Sequence, residues 1–284
     1  MAFQRANLLV YFYSNFPYFT SSIWEAGMKN LVEIEFSSDS FSSKIVNNFA
    51  VVTLKGNAFI NIADVTRTQD FLPWFDTIES NKELKGIVVV NEKGSMDENA
   101  YAEFLSNLTG EEIKPGERKN IEKFTSRDIR ALEINMLSNL IRRISLFTKF
   151  FIVAFKDDAV TPFIGVSLAA DFRVMSDSAK FSFSHAYYGL PASGALPFFL
   201  PKYVTQTTAF ELCSVGGELN WKEVSELGLV NRVFPEDSFD EKLNEFTSML
   251  GSLPSKQIRN SKILFYRNIG QLEDYLNFER QYLI

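Results

Sequence analysis

His185 is the only histidine in 284 residues, and it closes the run Ala179-Lys180-Phe181-Ser182-Phe183-Ser184-His185. Imidazole titrates near neutrality and can take or give a proton, so a sole histidine after a short strand-like run is a candidate acid or base. A strand-end histidine bonded to backbone or water is the plainer alternative. Asp157 and Asp158 also follow an apolar run, where paired acids commonly form a solvated turn. Ser167 and Ser193-Gly194 lack a nucleophile elbow and a base at readable spacing, which argues against a serine hydrolase. Gly216-Gly217 reads as a turn and not as a phosphate loop. Cys213 is the single cysteine. It cannot form an intramolecular disulfide, and without CxxC or Cys/His pairing no metal is expected, which fits a reducing, cytoplasmic setting.

These groups need a scaffold, and the sequence supplies an alternating one. Phe49 to Lys55 and Lys85 to Asn91 are β-branched runs separated by a helix-like stretch, Asp64 to Ile78. Leu137, Leu140, Ile141 and Ile144 share a helix face, and Phe150 to Phe155 follows as a buried strand. Thr161 suits an N-cap and Pro162 the first helical position, so a helix is expected from Pro162, leaving the amides of Phe163 and Ile164 toward ligand space. Short strands are expected at 172–175 and 180–183, then helices to Ile284. Ser106 to Asp128 is charged, contains Pro115 and Gly116, and is expected to be an exposed, weakly ordered excursion. The pattern is α/β. A chain of this length with 46% hydrophobic residues builds a full core, and its net charge of −6 gives no reason to expect nucleic acid as a partner. The aromatic stretch within Ala6–Phe19 is interrupted by Asn15 and Pro17 and is too short to span a bilayer, so no membrane partner is expected. Residues 1–28 read as an N-terminal aromatic extension, of which Met1 to Ala26 are expected to contribute little to the core.

The ordered set FIVAF, Ala169-Ala170-Asp171-Phe172-Arg173-Val174, Ala179-Lys180-Phe181, Gly189-Leu190, FLPKYV and LGLVNRVFPED resembles the crotonase (enoyl-CoA hydratase/isomerase) superfamily over more than four fifths of the chain. The resemblance implies a ββα spiral core over residues 29–215 and a C-terminal helical trimerisation region over 216–284. It further implies a homotrimer or hexamer and an acyl-CoA thioester as substrate or ligand, with no further cofactor. In that superfamily two backbone N–H groups stabilise a thioester enolate while carboxylates move protons. The apolar face Leu243, Phe246, Met249 and Leu250 is then expected to need a neighbouring subunit.

The departures lie in the catalytic segments. The first-donor loop, usually F-x-A-G-A-D, falls on Met96 to Tyr101, making Ala100 the donor candidate and placing Tyr101 where aspartate is usual. The second donor, usually in G-G-G-x-E, falls on Pro162, which has no N–H. A one-residue slip would let Phe163 donate. Gly165 stands at the first usual glutamate and His185 at the second. Lys55, with Asn61, falls near the nucleotide end of coenzyme A in the resemblance, a solvated lysine being the alternative. Pro162, Phe163, Gly165, Tyr101 and Lys55 are therefore expected at the substrate, with His185 as proton carrier. A lyase- or isomerase-like enzyme on acyl-CoA and a non-catalytic binder of an acyl thioester or protein partner both remain open.

Overall fold

The computed structural model describes residues 33–68, 71–265 and 269–284; the expected extension, residues 1–28, lies outside them. Seven strands form the main sheet: β1 (Phe36–Ser37), β2 (Phe41–Val46), β3 (Phe49–Leu54), β4 (Gly86–Asn91), β5 (Phe150–Phe155), β7 (Phe172–Ser176) and β10 (Arg232–Phe234), adjacent in that order. The first pairings are antiparallel, and those from β3 onward are parallel. Phe150 to Phe155 is apolar without alternation because both faces of β5 are covered, as parallel strands require. A second, three-stranded sheet places β8 (Lys180–Ser182) between β6 (Ala159–Val160) and β9 (Glu218–Asn220).

Helices α1 (Ala58–Ala63), α2 (Val65–Thr68), α3 (Phe71–Ser80), α4 (Glu98–Thr109) and α5 (Arg127–Leu146) follow the first strands. Shorter helices α6 (Phe163–Ser167), α7 (Leu196–Phe199), α8 (Gln206–Ser214) and α9 (Trp221–Glu226) follow β6, and α10 (Phe239–Gly251), α11 (Ser255–Phe265) and α12 (Ile269–Leu283) end the chain. This is the expected mixed α/β architecture. No helix among the described residues is long and apolar enough to cross a membrane.

Four expectations are corrected. The region 216–284 is not purely helical, since it gives one strand to each sheet. Leu243, Phe246 and Leu250 need no neighbouring subunit, because they are buried with Phe49, Phe150 and Ile152 on the chain's own sheet, leaving Met249 exposed. Helix α12 also folds back, burying Leu272 and Leu276 in the main core and gripping α5 through the Arg142–Glu273 pair, with two N–H donations of 2.7 Å. Finally, the charged excursion is anchored: Lys119 and Ile121 donate backbone N–H groups to Tyr187 and Tyr188 carbonyls, each at 2.9 Å, and Ile113 is buried. Charge in the sequence revealed the segment's surface position and not its main-chain partners.

Candidate active site

Three separate segments converge beside β6, and backbone chemistry explains why. The Asn91 side chain, buried at the end of β4, donates to the Asp157 and Asp158 carbonyls at 3.0 and 3.2 Å and accepts from the Lys156 N–H at 2.8 Å. The Asp157 carboxylate accepts from Gly94 N–H at 2.8 Å, and that of Asp158 from Lys180 N–H at 2.9 Å. These paired acids are thus clamps and not a solvated turn; burial raises the Asp158 carboxyl's pKa. Val160 N–H then donates to Met96 at 3.0 Å and Thr161 N–H to Ser182 at 3.1 Å, both to carbonyls. Loop 94–98, turn 160–163 and strand 180–182 are joined by this ladder.

One wall of the convergence is closed. Helix α6 begins at Phe163, one residue later than expected; Pro162 is the N-cap, and the Thr161 hydroxyl makes no cap bond. Gly165 faces the backbone of residues 194–196, where an added Cβ would overlap the Gly194 carbonyl oxygen and lie 3.0 Å from Leu196 N. A glutamate is excluded there by backbone contact. From behind, the buried Glu279 carboxylate of α12 accepts from Ala195 N–H at 3.0 Å and from the Tyr275 hydroxyl at 3.2 Å, and burial pushes its pKa up to about 7.

His185 is sealed as well. It lies in the 3-10 turn Ser184–Tyr188, is 1% exposed, and its Nε2 is 2.9 Å from the Cys213 carbonyl. A carbonyl can only accept, so Nε2 carries the proton. Burial lowers the imidazole pKa and favours the neutral ring. Its Nδ1 has no hydrogen-bond partner among the described residues.

The opposite wall is polar. Asp97 caps α4 by accepting Ala100 N–H at 2.9 Å. Ala100, the expected oxyanion donor, therefore has its N–H engaged by its own helix cap. Tyr101 is core packing and not a pocket wall: it is 2% exposed, with its ring 5.0 Å from Phe59 and 5.8 Å from Tyr188. Next to Asp97 in sequence, half-buried Glu98 accepts the Tyr188 hydroxyl at 2.7 Å and the Ser182 hydroxyl at 3.1 Å. Burial, then the Glu98 contact, pushes the Tyr188 pKa far up, so that hydroxyl stays a donor.

Glu98 escaped the sequence reading because its position corresponds to a small residue in the resembling motif. Asp97-Glu98 did carry a helix-start signal, a cap followed by a first-turn acid. The partners at 182 and 188 are long-range and gave none.

Phe163 packs 4.7 Å from Phe59 and, with Met96, Val166 and Ser167, helps line an apolar cavity of about 90 Å3. Lys55 donates its ammonium to Ser37 Oγ and the Ser38 carbonyl at 3.3 Å each. Asn61 holds the same loop by donating to the Lys55 carbonyl at 2.8 Å.

Known proteins match this architecture. An Enoyl-CoA hydratase from Bacillus halodurans superposes with a TM-score of 0.68 at 15% identity, covering 86% of this chain and 93% of that one. One from Mycobacterium avium subsp. paratuberculosis K-10 gives 0.67 at 15%, covering 87% and 92%. In sequence, 4-chlorobenzoyl coenzyme A dehalogenase-1 from Arthrobacter is 28% identical over 178 residues, spanning 63% of this chain and only 60% of that relative. A probable enoyl-CoA hydratase from Mycobacterium tuberculosis is 29% identical over 119 residues, 42% of each chain. The Enoyl-CoA hydratase/isomerase family model matches residues 44–283. On that match, which takes in all three converging segments, the chain belongs to the enoyl-CoA hydratase/isomerase family.

Proposed function

We propose that this protein binds an acyl-CoA thioester at the convergence of loop 94–98, turn 160–163 and strand 180–182, and that any turnover proceeds without the family's usual donor and glutamate positions. The carrying observation is the contact of Gly165 with residues 194–196, which leaves no volume for a side chain where the first glutamate is usual. Pro162 offers no N–H. Phe163, first residue of α6, offers the next amide, which has no acceptor within the helix. The names of relatives that act on coenzyme A thioesters support the ligand class, and the apolar cavity beside Phe163 suits a short acyl group.

A panel of acyl-CoAs, read by thermal shift and by product mass, tests the proposal. Saturable stabilisation by at least one thioester is the expected result, and no stabilisation by any would remove it.

A second proposal, proton transfer by His185, draws support from one observation, the unpartnered Nδ1. It predicts that His185→Gln abolishes turnover while sparing binding; full turnover in that variant would end it, leaving His185 as a buried tie to the Cys213 carbonyl.

Self-association into a trimer or hexamer is proposed from the exposed Leu264, Phe278 and Tyr282 of the last two helices. A sedimentation profile of a stable monomer would remove it. A cytoplasmic setting is proposed with the single cysteine as its support.

A further inference from the structure

Resting on the thioester proposal above, we infer that Glu98 is the catalytic base of this site, taking a proton from the carbon adjacent to the thioester carbonyl, with Ser182 and Tyr188 as positioning residues. Four carboxylates stand in or next to the converging segments, and three are committed to the backbone. Asp97 holds Ala100 N–H, Asp157 holds Gly94 N–H and Asp158 holds Lys180 N–H. Glu98 alone among these four is held through side-chain hydroxyls, one on each oxygen. A carboxylate has about four acceptor positions, so two hydroxyls fix its orientation and leave capacity to accept a proton.

Location supports the assignment. Ser182 is the β8 residue paired with Val160, and its carbonyl accepts Thr161 N–H. The carboxylate that Ser182 holds is thereby tied to the strand leading into Pro162 and Phe163. It is half-buried, whereas His185 is 1% exposed and its protonated nitrogen is engaged.

In the step, the C–H bond breaks and its proton passes to a Glu98 oxygen. The C–H electron pair forms the carbon–carbon double bond of the enolate, and the carbonyl π pair moves to oxygen, where the Phe163 amide is the nearest donor in sequence to the lost one. Return of a proton from Glu98 to the carbon restores the thioester. No oxidant, reductant or co-reactant is needed. In D2O the acid proton exchanges with solvent, and deuterium enters the carbon.

The test incubates the full chain with butyryl-CoA in D2O, following deuterium in the recovered thioester by mass and binding by thermal shift. The expected result is binding and deuterium uptake by the parent protein. Glu98→Gln should bind with a similar shift and lose exchange by about a hundredfold or more. Glu98→Asp, which keeps the charge but draws it back by one methylene, should retain partial exchange and covers the case in which the glutamine variant fails to fold. Tyr188→Phe should lower the exchange rate at saturating thioester more than it weakens binding, an effect that a purely structural tie would not produce. Binding without exchange in the parent, or undiminished exchange in Glu98→Gln, overturns the assignment alone. Failure to bind overturns the thioester proposal with it, so the two failures are told apart by the thermal shift.

Discussion

The two walls of the convergence are built on opposite terms. Around Pro162 and Gly165 backbone meets backbone, and polar atoms there and at the buried His185 are sealed: Thr161 Oγ1, Ser184 Oγ and His185 Nδ1 have no hydrogen-bond partner among the described residues. Around Glu98, hydroxyls meet a half-buried carboxylate, and those of Ser182 and Tyr188 are both engaged. The closed wall occupies the positions where the family resemblance expects catalytic groups, and the polar wall occupies a loop where it expects small residues. A scaffold can therefore keep its topology while the groups able to move protons change walls.

The strongest way to break this contrast is Gly165→Ala. If the wall is closed, the added methyl must displace residues 194–196, and stability should fall by about 3 kcal/mol, the upper part of the usual overpacking range. Chemical denaturation reads the loss directly, and a neutral substitution would show that the wall is open. On the polar wall, Tyr188→Phe removes a hydroxyl from a carboxylate without changing ring packing. A loss of roughly 1.5 kcal/mol is expected, as for one hydrogen bond to a charged group, and no loss would show that the Glu98 contact is not maintained in solution.

Titration separates the walls further. The lowered His185 pKa means that the unfolded chain binds this proton more readily, so its contribution to stability is full above about 6.5, its ordinary value, and falls as the pH drops below that. Glu279 has the opposite sign. Raised from 4.5 to about 7, it favours the folded state at low pH and withdraws that advantage as the pH climbs through this interval. The two slopes oppose one another in the parent protein. Glu279→Gln should expose the histidine's acid sensitivity below 6.5, and His185→Gln should expose a decline between 4.5 and 7, both measurable as melting temperature against pH. Identical profiles for the two variants would contradict their assigned burial. The smallest effect is expected away from both walls, at Arg142→Ala, where a partly exposed pair with Glu273 should contribute about 1 kcal/mol or less.

What the sequence disclosed follows the range of the forces involved. Periodicity exposed β3, β4, β5 and α5 because each is dictated by its own residues. The approach of loop 94–98 to residues 160 and 182 could be anticipated only through family resemblance, since Asn91 is an ordinary polar residue at a strand end until its four main-chain contacts with residues 156–158 are seen, and Asp157 an ordinary acid until it is seen to hold Gly94 N–H. Pro162 and Gly165 were legible as losses from their chemistry alone. His185 was legible as the sole imidazole but not as a buried one, because burial comes from Cys213 and its surroundings, 28 residues away. Glu98 was hidden for the converse reason: nothing local distinguishes a first-turn helix acid from one whose carboxylate is gripped by hydroxyls 84 and 90 residues further on.

The central claim is that an acyl thioester seats between these walls with its reactive carbon toward Glu98. A crystal structure with butyryl-CoA bound tests it most directly. The account predicts density for the thioester carbonyl within hydrogen-bond distance of the Phe163 amide and the adjacent carbon facing the Glu98 carboxylate. A thioester seated elsewhere, or a convergence left unaltered and empty at saturating ligand, would contradict it.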